Sequence, residues 1–206
     1  MRPHVILNCA MSLDGVIGGG GRRLLLSNHG DMVRMHRLRA TVNAIVVGIG
    51  TILVDNPKLA LKYAIGKNPL RVVVDGRAKT PLDAKVLNGQ SRTVIFVSER
   101  AAKSRVEKLG EKAEVIRCGK SRVDLKKAME RLAKMGVKRL MLEGGGRLNR
   151  SMIDEDLVDE MNITVAPRFV GEGTHITEGL IKRQNEFKLT KIKRIEDQVV
   201  LSYKRR

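Results

Sequence analysis

The sequence contains no tryptophan, three phenylalanines and two tyrosines, so aromatic surfaces on which nucleic-acid bases could stack are scarce. Its two cysteines, Cys9 and Cys118, lie far apart, and its four histidines are scattered without the ligand spacing of a zinc site. No apolar run reaches the roughly 18 residues that a membrane-spanning helix needs. We therefore expect reduced thiols in a cytoplasmic protein, with neither a bound metal nor a membrane partner.

Positive charge is in large excess, with a formal net charge of +18 in 206 residues. A field of that sign attracts polyanions, which makes a basic nucleic-acid-binding module one hypothesis. The basic residues are spread along the chain, however, and a phosphorylated small substrate or adaptation to a hot or salty cytosol explains the charge as well. We expect no specific nucleic-acid partner.

Short apolar runs alternate with helical patterns along most of the chain, which predicts a mainly parallel sheet flanked by helices. The predicted strands are Val5–Ala10, Ala44–Gly48, Leu70–Asp75, Thr93–Val97, Glu114–Arg117 and Arg139–Leu142. The predicted helices are Asp31–Ala40, Ala102–Leu109, Val123–Met135 and Gly146–Ile153.

The C-terminal part changes character, because strand patterns follow one another there without a helix between the last two. These strands are Glu160–Val165, Phe187–Arg194 and Val199–Lys204, and the last two form a hairpin that turns near residues 196–198. The sequence thus predicts one α/β domain over residues 1–206, with a mixed sheet that ends in an antiparallel hairpin.

A glutamate and three glycines, Glu143 to Gly146, follow the strand that ends at Leu142. Glycines at the carboxyl end of a parallel strand let the backbone approach a ligand, and the N–H groups of the next helix favour phosphate. The spacing matches neither a P-loop nor the Rossmann fingerprint. The alternative, that the glycines only relieve crowding in a tight turn, is equally compatible with this stretch alone.

Two further strands end in glycine-bearing turns. After Ala44–Gly48, a helical turn would place Thr51 and Asp55 on one face, where they could bind a phosphate, a ribose or a substrate amine. After the strand at 70–75, Arg77 could neutralise a 2′-phosphate and favour NADPH. Taken singly, each site has a structural alternative: a helix cap with a turn carboxylate for Thr51 and Asp55, and a solvated turn for Arg77. Three such turns together favour a nucleotide site.

Two other groups of polar residues suggest structure rather than chemistry. Ser12 and Asp14 come just after the first strand, where Asp14 and Gly15 predict a turn. His36 lies on an amphipathic helix with inward-facing methionines, and we interpret it as a surface or capping histidine rather than a base. No Ser/His/Asp or Cys/His triad can be assembled.

Six segments in this order resemble the riboflavin-biosynthesis reductases, in the stand-alone form that archaea use. They are NCAMSLDG at 8–15, HRLRA at 36–40, VGIGTILVDNPKL at 47–59, NPLRVVVD at 68–75, LEGGGRLN at 142–149 and LVDEM at 157–161 followed by Ala166-Pro167. Together they span nearly the whole chain. The resemblance implies a dihydrofolate-reductase-like fold, NADPH as cofactor with NADH as an alternative, and a homodimer.

The resemblance also implies site residues. The cofactor would be held by Thr51, Asp55, the strand end at Val74 to Gly76, and Gly144, Gly145, Gly146 and Arg147, with Glu143 beside them. Arg39, Asp55 and Glu143 would line the substrate pocket. Two positions depart from the bacterial pattern: Lys62 stands where many relatives have arginine, and Asn8 stands where bacterial domains carry lysine. The zinc-binding H-x-E and P-C-x-x-C of the deaminase half are absent, so no deamination is expected.

The implied reaction is hydride transfer to C1′ of a ring-opened phosphoribosylaminopyrimidine. Asp55 and Glu143 are the catalytic candidates, Arg39 and Lys62 the phosphate ligands, and Asn8 a contact to the 2-amino group. Open alternatives are a reductase of the deaminated substrate, a dihydrofolate reductase and an NADPH-binding regulator without activity.

Overall fold

The computed structural model describes residues 1–22, 24–182 and 184–206. Its strands are β1 (His4–Met11), β2 (Val16–Gly18), β3 (Ala44–Gly48), β4 (Leu70–Val74), β5 (Thr93–Val97), β6 (Glu114–Arg117), β7 (Arg139–Leu142), β8 (Glu160–Val165), β9 (Thr174–His175), β10 (Phe187–Ile195) and β11 (Gln198–Arg205). Its α-helices are α1 (His29–Arg39), α2 (Ile49–Asp55), α3 (Lys103–Gly110), α4 (Leu125–Lys134) and α5 (Gly146–Asp154), and Lys85–Leu87 form a 3-10 helix.

A nine-stranded sheet organises the fold, in the order β10-β11-β8-β1-β7-β3-β4-β5-β6. From β8 to β6 all neighbouring strands are parallel, whereas β11 is antiparallel to both β8 and β10. The predicted mixed sheet with a C-terminal hairpin is therefore confirmed, and the hairpin turns at Glu196 and Asp197. Strands β8 and β7 pair with the two sides of β1, so the carboxyl ends of β8, β1, β7 and β3 lie next to one another.

The central strands are mostly apolar because helices and loops cover both of their faces. All five residues of β5, TVIFV, are buried, as expected for a strand inside a parallel sheet. Side chains alternate along each strand, so Val5 and Leu7 of β1 join one hydrophobic cluster while Ile6 joins the other.

Local sequence sets the helix ends. The side chain of Asn28 accepts a hydrogen bond from the backbone N–H of Asp31 at the start of α1, and Asp124 does the same for Lys127 at the start of α4. The predicted helix over Val123–Met135 is two residues too long at its start for this reason. Along α4, Leu125, Ala128, Met129 and Leu132 form the buried face.

Three short elements were not predicted. Strands β2 and β9 form a separate two-stranded sheet, and the 3-10 helix lies between β4 and β5. Elements of two or three residues carry no readable periodicity, and β2 pairs with a partner more than a hundred residues away. Within the described residues no helix is long and apolar enough to cross a membrane.

Candidate active site

The glycine-bearing turns after β7, β3 and β4 lie side by side. The register pairs Val46 with Leu142 and Gly48 with Val74, so the three strands end at one edge of the sheet. The backbone N–H of Gly48 donates to the carbonyl of Gly144 at 2.8 Å. The three turns therefore lie next to one another, since parallel neighbours bring their carboxyl ends to the same place.

Two helices begin at this edge without a side-chain cap. Gly48 precedes α2 and Gly145 precedes α5, and neither helix start has a side-chain hydrogen bond. A Cβ atom built on Gly145 would lie 3.5 Å from the hydroxyl of Thr51, so the two helix starts nearly touch. Their backbone N–H groups and helix dipoles suit an anionic group such as a dinucleotide pyrophosphate.

The glycines of the β7 turn are structurally required. Gly144 has a φ of +86° and is joined to Gly145 by a cis peptide bond. A Cβ on Gly144 would lie 3.5 Å from the amide of Asn149, a buried residue of α5. The Asn149 amide also donates to the carbonyl of Ile176 at 2.9 Å, which fixes the 174–178 segment against the start of α5.

Glu143, at the tip of β7, is paired with Arg39 from the last turn of α1. The Arg39 Nε and Nη2 atoms donate to the two carboxylate oxygens at 2.7 Å each, and the side chains are only 10% and 12% exposed. Burial alone would lower the pKa of Arg39, but the charge and hydrogen bonds of Glu143 outweigh it, and the pKa is raised. The two predicted substrate residues thus meet in a rigid bidentate pair.

Arg39 and a neighbouring histidine also hold the segment after α2. Arg39 Nη1 donates to the carbonyl of Ala60 at 3.0 Å, and the backbone N–H of Lys62 donates to Nδ1 of His36 at 3.1 Å. His36 is buried, which corrects the interpretation of a surface or capping histidine. The helical pattern placed the methionines inward, but in the structure Asp31, His36 and Arg39 are the buried residues of α1.

Beside this network an open groove of about 500 Å³ is lined by Arg37, Ala40, Lys62, Tyr63, Ala64 and Ile65. Lys62 is exposed, and its Nζ lies 4.8 Å from the centre of the Tyr63 ring. Arg37 brings a second cation to the same groove. The sequence patterns missed both Arg37 and Tyr63, because nothing in their spacing relates them to Lys62.

Asn8 lies in the middle of β1, not at its tip. Its side-chain oxygen Oδ1 accepts a hydrogen bond from Nη2 of Arg34 in α1 at 2.9 Å. Arg34 in turn donates to the buried carboxylate of Asp31 at 2.7 Å, and the Thr164 hydroxyl of β8 donates to the same carboxylate at 2.8 Å. The side chain of Asn8 is therefore oriented by a network that reaches three elements.

The remaining predicted cofactor residues lie at the rim. Arg77 and Asp55, the last residue of α2, are exposed. Arg147 is 84% exposed on its side chain and pairs with Glu178 at 2.9 Å. Behind Arg77, the buried carboxylate of Asp75 accepts hydrogen bonds from the N–H and hydroxyl of Thr80, which fixes the turn that presents Arg77.

Ser12 and Asp14 form a latch between two loops. The Ser12 hydroxyl donates to Asp14, and the Asp14 carboxylate accepts from the backbone N–H groups of Val170 and Gly171. These hydrogen bonds, that of Ser12 first, lower the pKa of Asp14 to about 2. Burial raises the pKa of the Cys9 thiol to about 12, so this thiol is protonated and unsuited to nucleophilic attack.

Among the described residues, no three His, Cys, Asp or Glu side chains lie close enough together to bind a metal ion.

Comparison with known proteins identifies relatives along nearly the whole sequence. Residues 3–201 match the family described as the RibD C-terminal domain. The 2,5-diamino-6-ribosylamino-4(3H)-pyrimidinone 5′-phosphate reductase of Methanothermobacter thermautotrophicus is 49% identical over 83% of this chain and 81% of its own. The protein of the same name from Archaeoglobus fulgidus is 46% identical over 83% of both. A pyrimidine reductase-like protein of Corynebacterium diphtheriae superposes with a TM-score of 0.87 at 18% identity, over 98% of this chain and 92% of that one.

Proposed function

The chain belongs to the RibD C-terminal domain family, and from that membership we propose that it reduces 2,5-diamino-6-(ribosylamino)-4(3H)-pyrimidinone 5′-phosphate to the ribitylamino compound. It is a reductase of riboflavin biosynthesis with a dihydrofolate-reductase-like fold. The observation that carries the proposal is the place of Glu143. Its backbone opens the glycine turn between two uncapped helix starts, while its carboxylate is held by Arg39.

The reaction needs alignment more than covalent chemistry from the protein. Opening of the ribose ring breaks the bond between C1′ and the ring oxygen; the exocyclic nitrogen loses its proton and forms the C1′=N bond, and the ring oxygen gains a proton to become a hydroxyl. A bound nicotinamide nucleotide supplies the hydride that C1′ accepts, and the nitrogen takes up a proton. The protein would hold the hydride donor close to C1′, so that part of the barrier to hydride transfer is overcome by the binding energy of the two ligands.

Two carboxylates are proposed to act on the reacting atoms. Glu143 would face the positive charge that grows as the imine forms, and its bidentate pair with Arg39 keeps it in one orientation. Asp55, at the end of α2, would contact the ribose or the pyrimidine. Arg39 would act on substrate mainly through Glu143, because three of its N–H groups are already engaged by Glu143 and Ala60.

The phosphorylated end of the substrate is proposed to lie in the groove beside Lys62. Lys62 lines it from the segment after α2 and Arg37 from α1, and together they offer a compact ammonium and a planar guanidinium. Where many relatives use arginine at position 62, Arg37 would supply the bidentate phosphate contact that a lysine lacks. Asn8, fixed by Arg34, would contact the 2-amino group of the pyrimidine.

NADPH is the proposed cofactor, with NADH as a weaker alternative. Thr51, Gly144, Gly145 and Gly146 surround the two helix starts that suit the pyrophosphate. The turn at Val74 to Gly76 would lie along the adenosine half, and exposed Arg77 would meet the 2′-phosphate. Arg147 offers a second exposed cation at the first turn of α5.

A homodimer in the cytoplasm is proposed for the whole reductase unit, residues 1–206. The register of β8, β11 and β10 places Met161, Tyr203 and Leu189 on one face of the sheet, with Leu201 and Ile192 beside them. Leu189 and Ile192 remain 42% and 64% exposed. A second copy packed on this face would cover the exposed side chains of Leu189 and Ile192.

The test is NADPH oxidation, followed by absorbance, with freshly made diaminopyrimidine ribosylamino phosphate. The deaminated analogue and dihydrofolate serve as competing substrates, and mass spectrometry identifies a ribityl product. We expect oxidation with the diamino compound. Turnover of only the deaminated analogue, or of only dihydrofolate, would replace the proposed substrate. Cofactor binding without any turnover would favour a regulator, and salt-sensitive binding to duplex DNA would favour a nucleic-acid function.

A further inference from the structure

The segment between α2 and β4, residues 56–69, contains neither helix nor strand. Side chains fix three consecutive residues of it instead. Arg39 donates to the carbonyl of Ala60, the Asn68 side chain accepts from the N–H of Leu61 at 2.8 Å, and His36 accepts from the N–H of Lys62 at 3.1 Å. The position of Lys62 is therefore set mainly by Arg39 and His36 of α1, which are distant from it in sequence.

His36 holds this segment through both its ring and its nitrogen. Its ring meets Tyr63 edge-on, with the centroids 5.2 Å apart, and Tyr63 in turn meets His29 at 5.2 Å. Because Nδ1 accepts the N–H of Lys62, the ring carries its proton on Nε2. This contact requires a neutral imidazole, since in the charged form Nδ1 would become a donor facing another donor.

We propose that His36 is a positioning residue that holds Lys62 in place for the substrate phosphate, and that it does so only while its imidazole is neutral. This inference rests on the proposed function, because it takes the groove beside Lys62 as the phosphate site. His36 itself touches neither the substrate nor the cofactor in this account. It acts through the backbone of Lys62 and the ring of Tyr63.

The charged groups around His36 favour the neutral form. Arg39 from the same helix and Lys62 from the segment both oppose a second positive charge, while Glu143 from the end of β7 attracts one. Two other titratable residues are nearby: Tyr63, whose ring contacts that of His36, and His29, whose ring contacts that of Tyr63. Burial is the largest influence, and with the two cations it lowers the pKa of His36 despite Glu143. At neutral pH the contact is formed, and it is lost as the pH falls below the ordinary histidine range.

Two substitutions separate the parts of this inference. His36→Asn keeps an acceptor oxygen near the position of Nδ1 but cannot be protonated. His36→Leu keeps an apolar side chain and removes the acceptor. We expect His36→Leu to raise the KM for the substrate roughly fivefold at neutral pH, the effect of one lost hydrogen bond, with kcat and the KM for NADPH nearly unchanged. His36→Asn should stay close to the wild type.

The pH profile is the readout that a purely structural histidine would not give. As the pH is lowered from about 8 to well below the ordinary histidine pKa of about 6.5, the wild-type KM should rise toward that of His36→Leu as the imidazole becomes charged. A phosphate monoester also titrates, with a second pKa of about 6. The pH dependence of KM that comes from the substrate phosphate is common to all three proteins, and His36→Asn shows it without the contribution of the histidine. The wild-type rise should exceed the rise in His36→Asn.

Equal pH profiles for the wild type and His36→Asn would overturn the inference, as would an unchanged KM in His36→Leu. Thermal unfolding shows whether His36→Leu is folded, and His36→Asn carries the test if it is not. Binding of ribose 5-phosphate by calorimetry repeats the comparison without turnover. If that binding depends on His36 and pH while no pyrimidine is reduced, the proposed reaction fails and the role of His36 stands. If neither ribose 5-phosphate binding nor turnover depends on His36, the inference fails.

Discussion

The edge of the sheet that carries the candidate site is built in two ways. On the side of β3, β4 and β7, backbone shapes the site, through glycine turns and the starts of α2 and α5. On the side of α1 and segment 56–69, side chains shape it, through Arg39 with Glu143 and His36 with Lys62. Backbone sites depend on local sequence, whereas side-chain networks depend on residues that only the fold brings together. Substitutions on the two sides should therefore fail differently.

Glu143 stands where the two sides join, and its substitution should have the largest effect. Glu143→Gln keeps the shape and one acceptor for Arg39 but removes the negative charge. We expect kcat to fall about a hundredfold, as for loss of a charged group at the reacting atoms. The Kd for NADPH, measured by fluorescence titration, should change little.

The matched control is Glu178→Gln, which removes the carboxylate paired with exposed Arg147 near the same helix. Its kcat should stay near the wild-type value. A collapse of NADPH binding in folded Glu143→Gln, with modest loss of kcat, would move Glu143 to the cofactor side of the comparison.

Lys62 tests the side built from side chains. Lys62→Met should raise the KM for the substrate roughly tenfold, by removing a phosphate contact, and leave the Kd for NADPH unchanged. Steady-state kinetics with each substrate varied in turn separates the two constants. Lys188→Met, which removes the same charge from β10, should alter neither. An effect of equal size at Lys188 would mean that the overall charge of the protein attracts the substrate and that Lys62 has no particular role.

Gly144 tests the side built from backbone, and the chain offers an unusually close control. Gly144 and Gly136 have φ values of +86° and +85°, but only Gly144 lies in the site. Alanine at either position should destabilise the fold by about 1 kcal/mol through the left-handed conformation. In Gly144→Ala the Kd for NADPH should also rise several-fold, while in Gly136→Ala it should not. Calorimetry on both variants compares them, and equal NADPH affinities would contradict a cofactor role for this turn.

Arg77 should tune the cofactor side without affecting the substrate side. Arg77→Met should weaken NADPH binding about fivefold, through loss of one exposed charged contact to the 2′-phosphate. NADH is its own control, since it has no such phosphate and its KM should be unaffected. If both cofactors weakened alike, Arg77 would support the turn without recognising the 2′-phosphate.

Asp14 should give the smallest functional effect, because the hydrogen bonds of its latch go to Ser12, Val170 and Gly171 and to none of the proposed substrate or cofactor residues. Its folded pKa is lowered to about 2 from an ordinary 3.8, so the stability it contributes is present above the ordinary pKa and is lost as the pH falls toward 2. Asp14→Asn should therefore lower the unfolding temperature at neutral pH. The difference in unfolding temperature between the variant and the wild type should become smaller under acid conditions. A change in substrate KM as large as that of Lys62→Met would contradict a purely structural latch.

Much of the fold could be predicted because its signals are local. The bounds of β3, β5, β6, β7 and β8 match the predicted strands, since short apolar runs flanked by turn residues leave little freedom. The helix errors are one or two residues at caps such as Asp124. His36 was misplaced for a different reason. Apolar periodicity cannot predict the buried face of α1, because its buried residues are the polar Asp31, His36 and Arg39, whose partners are distant in sequence.

Local sequence is sufficient to predict that strands alternate with helices, that the chain ends in a hairpin and that three strands finish in glycine turns. Each of these follows from backbone preference and from the spacing of apolar residues over a few positions. The pairing of Arg39 with Glu143 and the contact of His36 with Lys62 follow from the fold alone, because a hydrogen bond across 104 residues leaves no mark on local spacing. Those contacts form because parallel strands bring their carboxyl ends together and the side chains of α1 reach the residues there.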